Sequence, residues 1–212
     1  MTAVEQFADM VQHSDNIVFF GGAGVSTESG IPDFRSVDGL YNQTYKYPPE
    51  HILSHTFYRE NPEEFYRFYR DKMLCLDAKP NMAHSKLAEL EKAGKLKAII
   101  TQNIDGLHQK AGSKNVLELH GSVHRNFCEH CHKLFDEGLD NDVIEQSLYY
   151  ISHADMLIIG GTSLVVYPAA GLVRYYNGHK LVLINKSSTD MDSSADLVIK
   201  EPIGQVFSHI TV

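Results

Sequence analysis

Cysteine is scarce in this chain: three occur in 212 residues, two of them in Cys128-x-x-Cys131. Three thiols do not make a disulfide framework. No apolar run approaches the roughly 20 residues needed to span a bilayer. The N-terminal stretch is polar from Glu5 onward, with no signal-type segment, so a cytoplasmic protein is expected. Internal repeats and low-complexity tracts are absent. Basic residues are the minority, 19 Lys and Arg against 27 Asp and Glu, for a net charge of −8. That balance argues against direct nucleic-acid binding but leaves room for a local groove that accepts a basic peptide. There is no G-x-S-x-G elbow, and no Gly-Lys-Ser/Thr follows the first glycine turn, which excludes a P-loop NTPase. No protein nucleophile is evident, which leaves chemistry carried largely by a cofactor. Nothing suggests a coiled coil or an extended apolar seam, and a monomer is assumed.

What the chain does have is a dense stretch at 16–35, NIVFFGGAGVSTESGIPDFR. Residues 16–20 form a short apolar run rich in Val, Ile and Phe, the pattern of a buried strand. Gly21, Gly22 and Gly24 follow, small enough for the backbone to turn sharply and approach a ligand. Ser26, Thr27 and Ser29 can cap a helix start, whose free N–H groups favour a phosphate. Strand, glycine turn and helix start together predict a nucleotide-phosphate cradle. The next glycine is Gly30, so the third glycine of G-x-G-x-x-G is displaced, and on this pattern alone a plain tight turn stays open. The Ile-Pro-Asp-Phe-Arg that ends the stretch is stiff, charged and aromatic, and predicts a loop closing over a ligand.

Hydrophobic residues are 43% and charged residues 22% of the chain, which suits one main domain with a smaller insert. A helix is predicted at 2–13, where Val4, Phe7, Ala8 and Val11 hold helical spacing. Another opens at 61 on Asn-Pro-Glu-Glu, a cap, a proline at the first position and acids in the first turn, and runs to about 76. Its Phe65, Phe68, Tyr69 and Lys72 share a side, read as aromatic core packing ahead of a ligand wall. Further helices are expected at 80–91, 140–151 and 168–177, the last stopped by Gly178, and at the C-terminus. Strands are expected at 96–101, 116–119, 155–159, 180–184 and 197–199, and 37–55 reads as loop with short helical turns. The alternation implies an α/β fold with a mostly parallel sheet and helices on both faces. Ligands of such sheets lie outside the carboxyl ends of the strands. Here those ends carry Gly-Gly-Ala-Gly, Gln-Asn-Ile-Asp, His-Gly-Ser, Gly-Thr-Ser and Asn-Lys-Ser.

His120, with a reference pKa of about 6.5, can take a proton near neutral pH, or it simply closes a strand by a hydrogen bond. Asp105 can act on a ligand or cap the following helix. Asn103 can orient a hydroxyl or water, or stabilise its turn. Arg35 can grip a phosphate or form a surface ion pair.

Several motifs in order are similar to the sirtuin family of NAD-dependent protein deacylases, of the bacterial type. They are Gly22-Ala23-Gly24-Val25-Ser26, Ser29 through Arg35, Thr101-Gln102-Asn103-Ile104-Asp105-Gly106-Leu107-His108, Leu119-His120-Gly121-Ser122, Gly161-Thr162-Ser163-Leu164, Val166-Tyr167-Pro168-Ala169 and Ile184-Asn185. The resemblance implies a Rossmann-like NAD-binding domain from 1–36, 79–121 and 140–212. It also implies a small domain from a helical insert at 37–78 and a truncated zinc-ribbon insert at 122–139. It implies NAD-dependent removal of acetyl groups from protein lysines, giving nicotinamide, O-acetyl-ADP-ribose and free lysine. NAD would contact Gly22, Ala23, Gly24, Ser26 and Thr27 with its pyrophosphate, Phe34 and Arg35 in the closing loop, and Gln102. Asn103, Ile104 and Asp105 would take the nicotinamide, and Gly161, Thr162, Ser163, Asn185 and Lys186 the adenosine half. His120 would be the general base, with Asn103 the second catalytic residue, and Phe34 would shield the reacting centre. Val165, Val166 and Tyr167, with Phe34, would meet an acetylated protein or peptide as an added strand. Transfer of ADP-ribose to a protein and a non-catalytic NAD or ADP-ribose binding module are the alternatives.

Two departures from the family matter. Cys128 and Cys131 resemble the first half of a structural zinc site, which needs four ligands. The second Cys-x-x-Cys, and the ~20–30 residues that carry it in a zinc ribbon, do not occur. Half a site has little structural purpose, so that segment is expected to have been left out of this chain rather than lost by the protein. A true loss would put zinc and peptide binding in doubt and leave the NAD site complete. The second departure concerns the Tyr-x-x-Arg pair of members that prefer acidic acyl groups. Here Tyr66-Arg67-Phe68-Tyr69 puts tyrosine at the arginine position and Arg70 one residue late, a rotation of about 100° on a helix. Uncharged acyl-lysine is therefore expected.

Overall fold

In the computed structural model, residues 1–125 and 140–212 are described. Cys128 and Cys131, with the 126–139 part of the second insert, lie outside the described residues. The chain begins with α1 (Ala3–Gln12), β1 (Ile17–Gly21) and a 3-10 helix (Ala23–Ser29). The insert contributes α2 (Pro49–Ile52), α3 (His55–Glu60) and α4 (Pro62–Phe68), which runs into a π-helical turn (Tyr69–Met73). Then come α5 (Met82–Lys92), β2 (Leu96–Thr101), α6 (Leu107–Ala111) and β3 (Val116–Glu118). The last third holds α7 (Asn141–His153), β4 (Met156–Gly160), α8 (Ala169–Leu172), β5 (Leu181–Ile184), β6 (Leu197–Ile199) and α9 (Ile203–Ser208).

The six strands form one sheet in the order β3-β2-β1-β4-β5-β6, and every pairing is parallel. β1 and β4 are buried at all five positions, as a parallel strand covered on both faces must be. Alternate residues feed two cores. Ile17 and Phe19 face Phe7, Leu87 and Phe207. Val18 and Phe20 face Ile151 and Leu172 on the other side. α1 is fixed at its start by a capping box, the Thr2 hydroxyl accepting from the Glu5 N–H and the Glu5 carboxylate from the Thr2 N–H. The strand order reverses direction between β1 and β4, so a crevice opens at their carboxyl ends. The insert has a third apolar cluster, in which Ile52, Phe57 and Phe68 are buried and Tyr45, Tyr47, Phe65 and Met73 surround them. Tyr69 stacks on Phe65 and Lys72 lies over the Tyr45 ring, so the shared side of this helix is an aromatic core. Among the described residues no helix is long and apolar enough to cross a membrane.

Two sequence expectations change in extent. The helix expected at 168–177 is α8 followed by a 3-10 turn (Val173–Tyr175). Tyr176 leaves it in an extended conformation, because its hydroxyl donates to the Asp155 carbonyl and accepts the Lys180 N–H, both at 3.0 Å. The segment after the first glycine turn is 3-10 rather than α, and its cap is Gly22. Ser26, Thr27 and Ser29 therefore lie inside it and are not caps.

Candidate active site

The glycines of the first turn make two strand ends interlock. Gly22 N–H donates to the Gly160 carbonyl and Gly24 N–H to the Gly161 carbonyl, at 3.2 and 2.8 Å. A Cβ on Gly24 would stand 2.7 Å from the Gly161 Cα, and one on Gly22 2.8 Å from the Thr162 Cβ. Gly161 has φ +59°, and a Cβ there would run into the Val25 backbone nitrogen. The β1 and β4 turns thus touch backbone to backbone, which side chains would prevent. Because the N–H groups of Gly22, Gly24 and Val25 are spent on protein carbonyls, the turn is less of an anion cradle than its sequence predicts. Arg35, held over the Tyr41 ring at 5.3 Å, supplies a cation on the wall of the same crevice.

A cavity of about 820 Å³ opens over these turns, within the size of small-molecule sites. Of the residues singled out in the sequence, Ala23, Gly24, Thr27, Phe34, Arg35, Gln102, Asn103, His120, Gly161, Thr162, Ser163, Val166, Asn185 and Lys186 line it. Gly22, Ser26, Ile104, Asp105, Val165 and Tyr167 do not line it. Gly22 and Ser26 are buried behind the wall, while Val165 and Tyr167 are exposed outside it. Sequence reasoning missed Tyr41, Leu53, Ser188, Thr189, Glu201 and Ile203, which also line the cavity. Glu201 follows β6, and the rule that ligands gather at strand ends, applied to that sixth strand, would have found it.

Behind the wall runs a polar chain. The Asn103 amide donates to the Ser26 hydroxyl at 3.0 Å, and that hydroxyl donates to the Asp105 carboxylate at 2.7 Å. The other Asp105 oxygen accepts the Leu107 N–H at 2.9 Å, so Asp105 does hold the start of α6. The chain fixes the Asn103 amide, with its nitrogen turned to Ser26 and its oxygen left as an acceptor. At the cavity mouth, His120 Nδ1 lies 3.1 Å from the Gln102 carbonyl. A carbonyl only accepts, so Nδ1 carries the proton and Nε2 is the basic nitrogen. Burial pulls the His120 pKa below the ordinary histidine value, and the Gln102 bond opposes that shift. Deeper in, His108 and His84 sit with ring centroids 4.7 Å apart; burial holds both neutral, His84 down to about 4.

The wall also holds amide donors that the protein does not use. Gln102 Oε1 accepts from the Thr162 hydroxyl, and Asn185 Oδ1 from the Thr162 N–H. Their nitrogens, Gln102 Nε2 and Asn185 Nδ2, are buried without a partner. Buried donors of this kind call for an acceptor. Two such donors, an interlocked glycine floor and Arg35 at one end fit a ligand rich in hydroxyl and phosphate oxygens, as NAD is. Among the described residues no group of three or more His, Cys, Asp and Glu could hold a metal ion.

Comparison with known proteins agrees with this geometry. Residues 22–144 match the Sir2 family. An NAD-dependent protein deacetylase of Clostridium acetobutylicum is 54% identical over 238 residues, covering 98% of this chain and 97% of that protein. One from Clostridium perfringens is 53% identical, covering 98% of each. Both aligned stretches exceed the 212 residues here, so these relatives carry positions with no counterpart in this chain. A solved structure of Sir2 with a p53 peptide and NAD+ superposes with a TM-score of 0.82 at 37% identity, covering 98% of this chain and 96% of that one. Sir2 bound to an acetylated peptide gives 0.83 at 36%, with the same coverage. With the parallel sheet, the interlocked glycine turns and the His120 mouth on one crevice, the chain belongs to the Sir2 family.

Proposed function

We propose that this chain is an NAD-dependent protein-lysine deacetylase acting on acetylated proteins or peptides and yielding nicotinamide, O-acetyl-ADP-ribose and free lysine. The observation that carries the reading is His120 at the mouth of the cavity, tied through Nδ1 to Gln102 so that Nε2 is free to take a proton. When bound, NAD supplies a glycosidic bond whose cleavage releases nicotinamide and leaves a ribose carbon open to the acyl oxygen.

The chain's residues then have these parts. His120 Nε2 removes a proton from a ribose hydroxyl, and its lowered pKa keeps it neutral for that task. Asn103, locked by Ser26, presents its amide oxygen to the reacting sugar. Ile104 and Asp105 serve the nicotinamide end from the same loop. Phe34 covers the reacting centre against water, and Arg35 meets the phosphates. Gly22, Ala23, Gly24, Ser26 and Thr27 shape the floor beneath them. Gln102, Gly161, Thr162, Ser163, Asn185 and Lys186 hold the adenosine half, with the two unspent amide nitrogens as donors. The exposed Val165, Val166 and Tyr167 receive the peptide backbone.

The separate apolar cluster of the insert supports a division into an NAD domain (1–36, 79–121, 140–212) and a small domain (37–78, 122–139). Zinc belongs to the reading only as a half site, since Cys128 and Cys131 are two of the four ligands needed and Cys75 is the single remaining cysteine. Three cysteines, too few for a disulfide framework, suit the cytoplasm. Mass spectrometry of an acetyl-lysine peptide incubated with the protein and NAD tests the assignment. Loss of the acetyl group is expected. Added ADP-ribose would instead favour the transferase, and an unchanged peptide a binding module.

A further inference from the structure

We propose that His124 is a positioning residue for the nicotinamide end of the site, acting through the backbone of the 103–106 loop; the inference rests on the deacetylase reading. The chain after His120 turns back over that loop and fastens it. Val123 N–H donates to the Ile104 carbonyl at 2.9 Å. His124 Nε2 lies 3.1 Å from the Asp105 carbonyl, and because a carbonyl only accepts, Nε2 carries the proton. The ring rests on Gly106, where a Cβ would stand 2.6 Å from His124 Cδ2 and where φ is +69°. Gly106 therefore serves both the turn and the ring. Arg125 then pairs with Glu118, whose side chain is 2% exposed and which lies in β3 just ahead of His120.

The loop is thus gripped from two sides. On the inner side Ser26 and the Leu107 N–H hold the Asp105 carboxylate. On the outer side His124 holds the carbonyl of the same residue. Without His124 the outer side keeps only the Val123–Ile104 bond, and the Asp105 end of the loop can tilt out of register with Asn103. The outer grip removes that freedom, so His124, which touches no reacting atom, sets how well the pocket retains nicotinamide.

The test uses the full chain with two variants. His124→Phe keeps a ring on Gly106 but has no donor; His124→Gln keeps an N–H at the same reach. Hydrogen–deuterium exchange, without any ligand, reads the Asn103 and Leu107 amides. His124→Phe is expected to speed their exchange about fivefold, the worth of one hydrogen bond, and His124→Gln to stay within about twofold of the parent. In steady-state assays His124→Phe should raise both the NAD KM and the nicotinamide inhibition constant about fivefold. The acetyl-peptide KM should not move, and His124→Gln should restore both constants. Parent-like exchange and constants in His124→Phe would overturn the proposal, as would a His124→Gln variant no better than His124→Phe. A parent protein without NAD-dependent deacetylation would refute the functional reading instead, and the exchange arm would still decide whether His124 holds the loop.

Discussion

His120 Nδ1 donates to the carbonyl of Gln102 across 3.1 Å, and this one bond decides which ring nitrogen is basic. Burial moves the pKa below 6.5, so the neutral form persists to lower pH than a free histidine allows. Activity is therefore present above that lowered pKa and lost as the pH falls through it. A pH profile of kcat/KM should show an acid limb with its midpoint below 6.5, and His120→Ala should remove the activity. A midpoint above 6.5 would contradict the assignment.

The contact between the β1 and β4 turns predicts a difference between glycines. Gly161 combines φ +59° with a Cβ position already filled by backbone, whereas Gly94 has φ +76° and open space. Gly94→Ala pays only the left-handed conformation, about 1 kcal/mol. Gly161→Ala should cost roughly 2 kcal/mol or more and weaken NAD binding as well. Urea unfolding and NAD titration measure the two effects, and equal costs would show that the turns can move apart.

Asn185 separates acceptor from donor. Its Oδ1 accepts the Thr162 N–H at 2.9 Å, while its Nδ2 is buried without a protein partner. Asn185→Asp keeps the acceptor and removes the donor. The NAD KM should rise about tenfold or more, from the lost donor and the added negative charge opposite a ligand oxygen, with little change in kcat. An unchanged KM would mean that Nδ2 does not face the ligand.

Acyl preference follows from where the arginines of the insert lie. Arg67 and Arg70, with Tyr66, Pro62 and Glu63, line a separate hollow of about 420 Å³, and none of them lines the 820 Å³ cavity. A succinyl carboxylate would enter without a partner from this helix, which is unfavourable. Acetyl-lysine peptide should exceed succinyl-lysine peptide in kcat/KM by about tenfold or more. Equal rates would contradict this.

The sheet was legible because a parallel strand covered on both faces has to be apolar throughout, as the runs ending at Gly21 and Gly160 are. The strand ends pointed to the cavity for the same topological reason. Local chemistry failed where long-range partners override it. Ser26 reads as a helix cap, but Asp105, 79 residues away, takes its hydroxyl and Asn103 its lone pair. The glycine N–H groups read as a phosphate cradle, but the Gly160 and Gly161 carbonyls take those of Gly22 and Gly24, a contact no local pattern shows. The helix after Asn61 opens with Pro62 in its first turn as expected, but the Asn61 side chain makes no capping hydrogen bond, and the helix ends in a π-helical turn at Tyr69–Met73.

The measurement that bears most directly on the central claim is nicotinamide release from NAD by this 212-residue chain, with and without an acetyl-lysine peptide, beside His120→Ala. Release that depends on the peptide and is abolished by His120→Ala is the expected result. NAD binding with no peptide-dependent release would contradict the deacetylase account and leave a binding module.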